Sequence, residues 1–207
     1  MGKYTGPKNK IARRFGLHLG LKTNPTKVAR RLQQKPGVHG GTYKRSSVSS
    51  FGTQLIEKQK AKYIYGLRER QFRSYVERGS RLKGDSSVAV QRLLEMRLDN
   101  VVYRLGFAGT RAQGRQMVNH GMFVVNGKKM NIPSHTVKVG DEIGIKGNKK
   151  AKKIFEGLSD RLAKVDAPSW LALNPSALSG KVLNLPGEEN FEKLFDIKLI
   201  IEYYSSR

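Results

Sequence analysis

Residues 97–127 read RLDNVVYRLGFAGTRAQGRQMVNHGMFVVNG, and the spacing within them decides the fold class. At 100° per residue, Leu98, Val101, Val102 and Leu105 fall on one face of a short helix, with Arg97 and Arg104 together beside it. Gly106-Phe107-Ala108-Gly109 ends that helix. Thr110 and Gln113 stand at capping-box spacing and open a second helix. There Gly114, Met117 and Val118 share one face, while Arg111, Arg115 and Asn119 follow at i, i+4 and i+8 along another. His120-Gly121 stops it, with glycine as the left-handed cap. Met122 to Val125 is strand-like, Asn126-Gly127 is a strong hairpin signal, and Lys128 to Ile132 returns. Short helices with a small antiparallel sheet, an α+β unit, follow from this order.

Downstream, Val137 with Val139, a turn at Gly140-Asp141, and Ile143 with Ile145 predict further short strands. Lys146 to Lys153 is a basic, exposed stretch leading into a helix over 154–165. A loop-rich section follows Pro168-Ser169-Trp170-Leu171, and Ile197 to Tyr204 has the composition of a strand. Upstream, Leu55, Ile56, Gln59, Tyr63 and Leu67, then Phe72, Tyr75 and Val76, recur at helical steps, with Gly66 interrupting or joining two helices. Gly84-Asp85-Ser86 gives a break and an N-cap for a helix through Val88, Leu93 and Leu94. Gly6-Pro7, Asn24-Pro25, Pro36-Gly37 and Gly40-Gly41 leave room in the first 50 residues only for short helical pieces such as Thr26 to Gln34. The expected organisation is a basic arm over 1–50, a helical domain over 51–92, a mixed domain over 93–195, and a C-terminal segment over 196–207.

The charge map narrows the function. Forty Lys and Arg against 16 Asp and Glu give the 207-residue chain a formal charge of +24. Residues 1–56 hold twelve cations and no acid; residues 57–84 hold nine against three, and residues 97–155 twelve against three. Residues 156–207 hold six against eight, so a polyanion is expected at the first two-fifths and the middle. Ordinary surfaces intersperse both signs. An acid-free run of 56 residues therefore favours nucleic acid over a merely solvated surface. A membrane surface fits less well, because the one tryptophan, Trp170, sits in the acidic part. Low apolar content with high charge predicts an arm that orders on its partner. With no cysteine, disulfides, thiolate zinc sites and cysteine nucleophiles are excluded. No apolar run approaches the ~18–20 residues of a membrane span. The first residues lack the apolar middle of a secretory signal, so a cytoplasmic protein is expected.

Phosphate oxygens call for guanidinium or ammonium donors on rigid supports. Arg111 and Arg115, one turn apart, are separated by about 6 Å along the helix axis, near the spacing of neighbouring phosphates. The N-terminal end of their helix beside Thr110 adds backbone donors, and Asn119 and His120 can reach sugar or base. The same spacing fits a helix with a solvated arginine face, and Lys128 admits the same bland reading. Further candidates are Lys3, Lys8, Lys10, Arg13, Arg14, Lys44 and Arg45 in the arm. Lys58, Lys60, Lys62, Arg70 and Arg73 follow in the helical domain, and Arg97 and Arg104 beside the motif.

Arg97 to Phe107, Thr110-Arg111, Gln116 to Gly121, Val125-Asn126-Gly127 and Val139-Gly140-Asp141 closely resemble the RNA-binding domain named after small-subunit ribosomal protein four. That domain also occurs in pseudouridine synthases, a tyrosyl-tRNA synthetase and small stress proteins. The flanks carry the resemblance further. Gly6-Pro7-Lys8, Arg13-Arg14, Pro36 to Gly40, Glu57 to Lys60, Ile64 to Leu67, Glu69 to Arg73 and Arg81 to Gly84 are similar to the N-terminal domain of the ribosomal family itself, of bacterial or organellar type. Pro168 to Leu171 and Ile201 to Ser205 match too. The resemblance implies a primary binder of small-subunit ribosomal RNA that docks on the 5′ domain and nucleates assembly of the subunit body. It also implies a chain end over 196–207 that packs back, contact with neighbouring protein five near where messenger RNA enters, influence on decoding accuracy, no cofactor, and no homo-oligomer.

Two departures stand out. Many relatives hold zinc with four cysteines in the arm; here Asn9 and Ala12 stand near the first pair's place, and His18 and His39 cannot replace such a site. No metal is expected, and the arm is left to RNA contacts for its order. Gly114 replaces a common alanine, which on propensity weakens the helix by ~1 kcal/mol. An RNA-modifying enzyme with the same domain is the rival class. Asp160, Asp166 and Asp196 lie in no catalytic motif, and there is no P-loop. A DNA regulator using Arg111 to Asn119 as a major-groove helix is a second rival. The aromatic C-terminal quarter, with Trp170, Phe191, Phe195, Tyr203 and Tyr204, fits either protein contacts or plain core packing.

Overall fold

A computed structural model describes residues 4–34 and 48–206. The chain divides into two compact units, one formed by residues 1–90 with 192–207 and the other by 91–191. Lys3, Lys44, Arg45, His39 and the Pro36-Gly37 and Gly40-Gly41 breaks lie outside the described residues.

The first unit is helical. Helices α1 (Lys8–Phe15) and α2 (Pro25–Leu32) pair, and Asn24 caps α2 by accepting from Lys27 N–H at 2.9 Å. Residues 8–32 thus hold two helical pieces of eight residues each, the short kind for which the breakers leave room. Ile11, Ala12, Leu19 and Val28 are buried, and Tyr4 and Phe15 set their rings against Tyr63 at 5.8 and 6.2 Å. These apolar side chains and ring contacts seat the two short helices on a longer one. That longer helix is α3 (Ser50–Ile64), joined through Gly66 to α4 (Glu69–Ser80), as the helical spacing predicts. Helix α5 (Ser86–Glu95), opened by Asp85 accepting from Ser87 N–H at 2.7 Å, carries the chain into the second unit.

The C-terminal segment is a helix, α9 (Ile197–Ser205), where composition predicts a strand. Ile197, Ile200 and Tyr203 are buried at steps of three, and Asp196 accepts from Lys198 N–H at 2.8 Å to cap it. Position outweighs β propensity here. Helix α9 packs on α3 and α4 through Phe51–Tyr203 and Phe72–Tyr204 ring contacts.

In the second unit α6 (Leu98–Arg104) and α7 (Arg111–Asn119) cover an antiparallel sheet. Its strands β1 (Phe123–Val125), β2 (Lys128–Met130), β3 (Glu142–Ile145), β4 (Leu171–Asn174) and β5 (Ser179–Val182) lie in the order β2-β1-β3-β5-β4. The hairpin register is Phe123 with Met130 and Val125 with Lys128, and its turn residues Asn126 and Gly127 both take positive φ. Leu98, Val101, Val102 and Leu105 are all buried, as the 100° arithmetic requires. They meet Phe107, Val118, Phe123, Ile143 and Trp170 in one core.

Three expectations fail in this unit. Residues 137–139 form no strand, only an isolated bridge between Arg97 and Thr136. The helix over 154–165 shrinks to a 3-10 turn (Lys153–Phe155) and α8 (Leu158–Leu162), because Glu156 is extended at φ −61°, ψ 131°. The loop-rich section after Trp170 contains β4 and β5. The aromatic residues Trp170, Phe191, Phe195 and Tyr203 are buried, which favours core packing over protein contacts for that quarter.

Candidate nucleic-acid interface

Thr110 caps the start of α7, as its spacing to Gln113 predicts. Thr110 Oγ accepts from Gln113 N–H at 3.2 Å, and Gln113 Oε1 accepts in return from Gly109 N–H at 2.9 Å. Helix α7 then lies so close to α6 that a Cβ on Gly114 would come within 2.8 Å of the Asp99 carbonyl oxygen. The glycine is therefore a requirement of this packing, not only a propensity loss as sequence reading has it.

That closeness changes the role of the arginines. Arg111 and Arg115 are each 8 % exposed, so their face of α7 is turned against α6. Arg111 Nε donates to Asn100 Oδ1 at 2.8 Å, and its guanidinium lies 4.6 Å from the Tyr103 ring centroid. Asn100 donates to the Glu95 carboxylate at 2.8 Å. Arg104 meets that carboxylate through two nitrogens, each at 3.0 Å. Arg97 is 0 % exposed and forks onto Asp99 at 3.0 and 2.7 Å, while Arg115 approaches the same carboxylate at 3.9 Å. Burial of this pair is tolerated because guanidinium and carboxylate satisfy one another bidentately. Arg97 holds Asp99, and with no exposed surface it leaves the candidate contact set. The exposed residues of α7 are Ala112, Gln116 and Asn119, followed by His120, with no cation among them. A major-groove recognition helix, which reads bases from its outer face, is poorly served by that surface.

In the first unit Lys58, Lys60 and Lys62 are also engaged. Lys58 Nζ is 2.8 Å from Glu69 Oε1 and 4.4 Å from the Tyr203 ring centroid. Lys62 reaches Glu69 Oε2 at 3.0 Å, and Tyr204 donates its hydroxyl to Glu69 at 2.7 Å. Burial alone would raise the Glu69 carboxyl. The hydrogen bonds from Lys58, Tyr204 and Lys62 outweigh it and hold the group at about 2, against 4.5 ordinarily. Burial, and then the bond to Glu69, pushes the Tyr204 hydroxyl up. Lys60 pairs with Glu57 at 2.6 Å, and Glu57 in turn accepts from Asp196 N–H at 3.0 Å at the start of α9. These lysines fasten α9 to α3. Sequence reading places them on polar sides, where the facing acids cannot be seen.

The remaining candidates divide cleanly. Lys8, Lys10 and Arg13 line a cleft with Lys22 and Arg31. Arg14 and Arg70 are exposed, and Arg73 makes an exposed i,i+4 pair with Glu77 at 2.7 Å. Asn119, His120 and Lys128 are exposed in the second unit. Among exposed cations the motif-led choice missed are Lys22, Arg31, Arg68, Lys129, Lys150, Lys152 and Lys153. The signal was present in the last of these: residues 146–153 contain five lysines and no acid, on a segment without periodicity. Among the described residues no cluster of three His, Asp or Glu could hold a metal ion. With no cysteine in the chain, the residues do not fit the zinc site of the cysteine-bearing relatives. No described helix is long and apolar enough to cross a membrane.

A capped helix pair on a small antiparallel sheet, and a helical unit with a cation-lined cleft, define an α+β nucleic-acid-binding protein. Comparison with known proteins agrees and goes further. Residues 3–95 match the family described as Ribosomal protein S4/S9 N-terminal domain, and residues 96–143 match the S4 domain. The chain is 48% identical to the small ribosomal subunit protein uS4 of Roseiflexus castenholzii and 47% identical to that of Chloroflexus aurantiacus, each over 99% of this chain and 100% of the relative. The uS4 protein of Aquifex aeolicus is 44% identical over 99% of both. The chain belongs to the small ribosomal subunit protein uS4 family.

Proposed function

We propose that this protein is a structural, non-catalytic component of the small ribosomal subunit and a direct binder of its RNA. The observation that carries the reading is the end-to-end relationship to proteins named for that subunit, at 48% identity with both flanks of the RNA-binding domain included. The charge supports it: a +24 chain whose engaged cations are concentrated around Glu57, Glu69, Glu95 and Asp99 leaves many others exposed. In the first unit the proposed contacts are Lys8, Lys10, Arg13, Arg14 and Arg70, joined by Lys3, Lys44 and Arg45 from sequence. In the second they are Asn119, His120, Lys128 and the lysines of 146–153. Arg111 and Arg115 act from a supported position, their guanidiniums set by Asn100 and Asp99 at the edge of α6.

Within that reading, the protein docks on the 5′ domain, nucleates the subunit body, and contacts protein five near where messenger RNA enters, with consequences for accuracy. Its place is the cytoplasmic ribosome. Binding to a 5′-domain transcript at graded salt tests the core of this. Affinity should exceed that for an unrelated structured RNA of equal length by at least about 10³-fold, the usual lower margin of specific over non-specific binding. Equal affinity for both would reject the reading.

A further inference from the structure

Of the ten asparagines in the chain, Asn126 alone precedes a glycine. In that pairing the following backbone nitrogen closes most readily on the side-chain amide, because no Cβ obstructs its approach. The fold sets the pair at the exposed tip of the β1–β2 hairpin, with φ of 49° at Asn126 and 75° at Gly127. It also gives the amide a structural role. Asn126 N–H donates to the Glu142 carbonyl at 2.9 Å, and Asn126 Oδ1 accepts from Glu142 N–H at 2.9 Å. The side chain thus stands in for a main-chain carbonyl and extends the β1–β3 ladder by one pair. Its Nδ2 donates to Asp141 Oδ1 at 2.8 Å, and Asp141 Oδ2 accepts from Lys138 N–H at 2.8 Å. These partners fix how the amide lies, since only its oxygen can meet an N–H and only its nitrogen can meet a carboxylate. One amide therefore locks the hairpin tip to the turn at 138–141, and the lock needs the Nδ2 donor.

We propose that Asn126 is a self-modifying site: its amide deamidates when the hairpin tip opens, and the folded lock holds that reaction back. In the first step the Gly127 nitrogen gives its proton to water or hydroxide and bonds to Asn126 Cγ. The Cγ–Nδ2 bond breaks, and the nitrogen takes a proton from water and leaves as ammonia. Water then opens the cyclic imide at one carbonyl or the other. One opening gives aspartate on the original main chain. The other gives isoaspartate, whose main chain runs through Cβ and Cγ and is one carbon longer. In the folded hairpin both heteroatoms of the amide are committed to residues 141 and 142, so Cγ is held toward the start of β3 and must be released before it meets the Gly127 nitrogen. Either product breaks the half of the lock that rests on Nδ2. A carboxylate at 126 then faces the Asp141 carboxylate with no donor between them. The isoaspartyl product also lengthens the tip that sets the pairing of Phe123 with Met130 and Val125 with Lys128. The site converts time spent open into an irreversible change beside Lys128 and Lys129, whichever RNA the chain holds.

Peptide mapping by mass spectrometry tests it on the full-length protein aged in mildly alkaline buffer, once folded and once unfolded in guanidinium chloride. In the unfolded chain Asn126 should deamidate faster than any other asparagine, and an unfolded chain in which another matches it would overturn the site. Folding should slow the reaction by at least about thirtyfold, the population factor that two side-chain hydrogen bonds of ordinary net strength supply. A ratio below about fivefold, less than one such bond supplies, would overturn the lock. Asn126→Asp, which makes the direct product, should speed hydrogen exchange across residues 123–130 and 138–142 by about fivefold; exchange at the wild-type rate would count against the lock. Asn126→Asp with Asp141→Asn exchanges carboxylate and amide. An oxygen at 126 still accepts from Glu142 N–H, the amide at 141 supplies the missing donor, and its oxygen still accepts from Lys138 N–H. Protection should return in this double variant to within about twofold of wild type, as a coupled pair requires and two independent losses do not allow. A defect as large as that of Asn126→Asp alone, or larger, would overturn the pairing on which the proposal stands.

Discussion

Replacing Gly114 by alanine sets two effects of opposite sign against each other. In an exposed helix interior the change should stabilise by about 1 kcal/mol, the propensity difference between the two residues. Here the new Cβ would stand 2.8 Å from the Asp99 carbonyl oxygen, some tenths of an ångström inside ordinary contact. The obstacle is backbone at the start of α6, so relief requires α6 and α7 to separate rather than a side chain to rotate. Overpacking of this kind costs typically 1–3 kcal/mol. The net expectation is destabilisation by about 1 kcal/mol, which for a unit of this size lowers the melting temperature by about 4–8 °C. Asp99 is also the carboxylate that Arg97 and Arg115 share, so the shift should loosen Arg115. Calorimetry with hydrogen exchange at α7 reads both effects. A rise of several degrees would show that propensity governs position 114 and that the helix contact has been misjudged.

Three other perturbations bear on the remaining polar groups. Glu69 titrates at about 2 in the folded protein against 4.5 ordinarily, so its contribution is fully present above pH 4.5 and is lost as pH falls toward 2. Exchange protection of α9 should weaken across that window, and Glu69→Gln should remove that pH dependence; an unchanged acid profile in the variant would contradict the assignment. Arg97→Ala removes both bonds of its fork on the buried Asp99 carboxylate, and should lower stability by about 3–5 kcal/mol, read as a shifted urea midpoint at constant m-value. A change below about 1 kcal/mol would mean that the pair is solvated. Lys128→Gln with Lys129→Gln should flatten the salt dependence of RNA binding by about 1.5–2 units with no change in melting temperature. An unchanged slope would leave those lysines with the other role their position suggests, charging the edge strand β2 against unwanted pairing.

The parts legible in the sequence are those where one local rule decides the outcome. Leu98, Val101, Val102 and Leu105 fix a buried face by spacing alone, Thr110 and Gln113 fix a helix start, and Asn126-Gly127 fixes a turn, so α6, α7 and the hairpin follow without tertiary knowledge. Ribosomal kinship was legible too, because its motifs run through both flanks, and the comparisons bear it out. The failures share a cause. Ile197 to Tyr204 is rich in β-formers, yet α3 and α4 supply a surface that only a helix can meet. Strand β5, with the sequence Ser179-Gly180-Lys181-Val182, has almost no propensity signal and exists because β3 and β4 flank it. Arg111 and Arg115 have the spacing of a phosphate-binding face, but nothing local reveals that Asn100 and Asp99 come to meet them. Long-range polar partners are the information a linear reading lacks.

The account stands most directly on which RNA this chain holds in living cells. Crosslinking followed by sequencing of the bound fragments should recover reads concentrated in the 5′ domain of small-subunit ribosomal RNA, with crosslinked peptides from residues 8–32 and 146–153. Reads scattered over messenger and transfer RNAs in proportion to abundance, or crosslinks confined to the acidic 156–207 region, would contradict it.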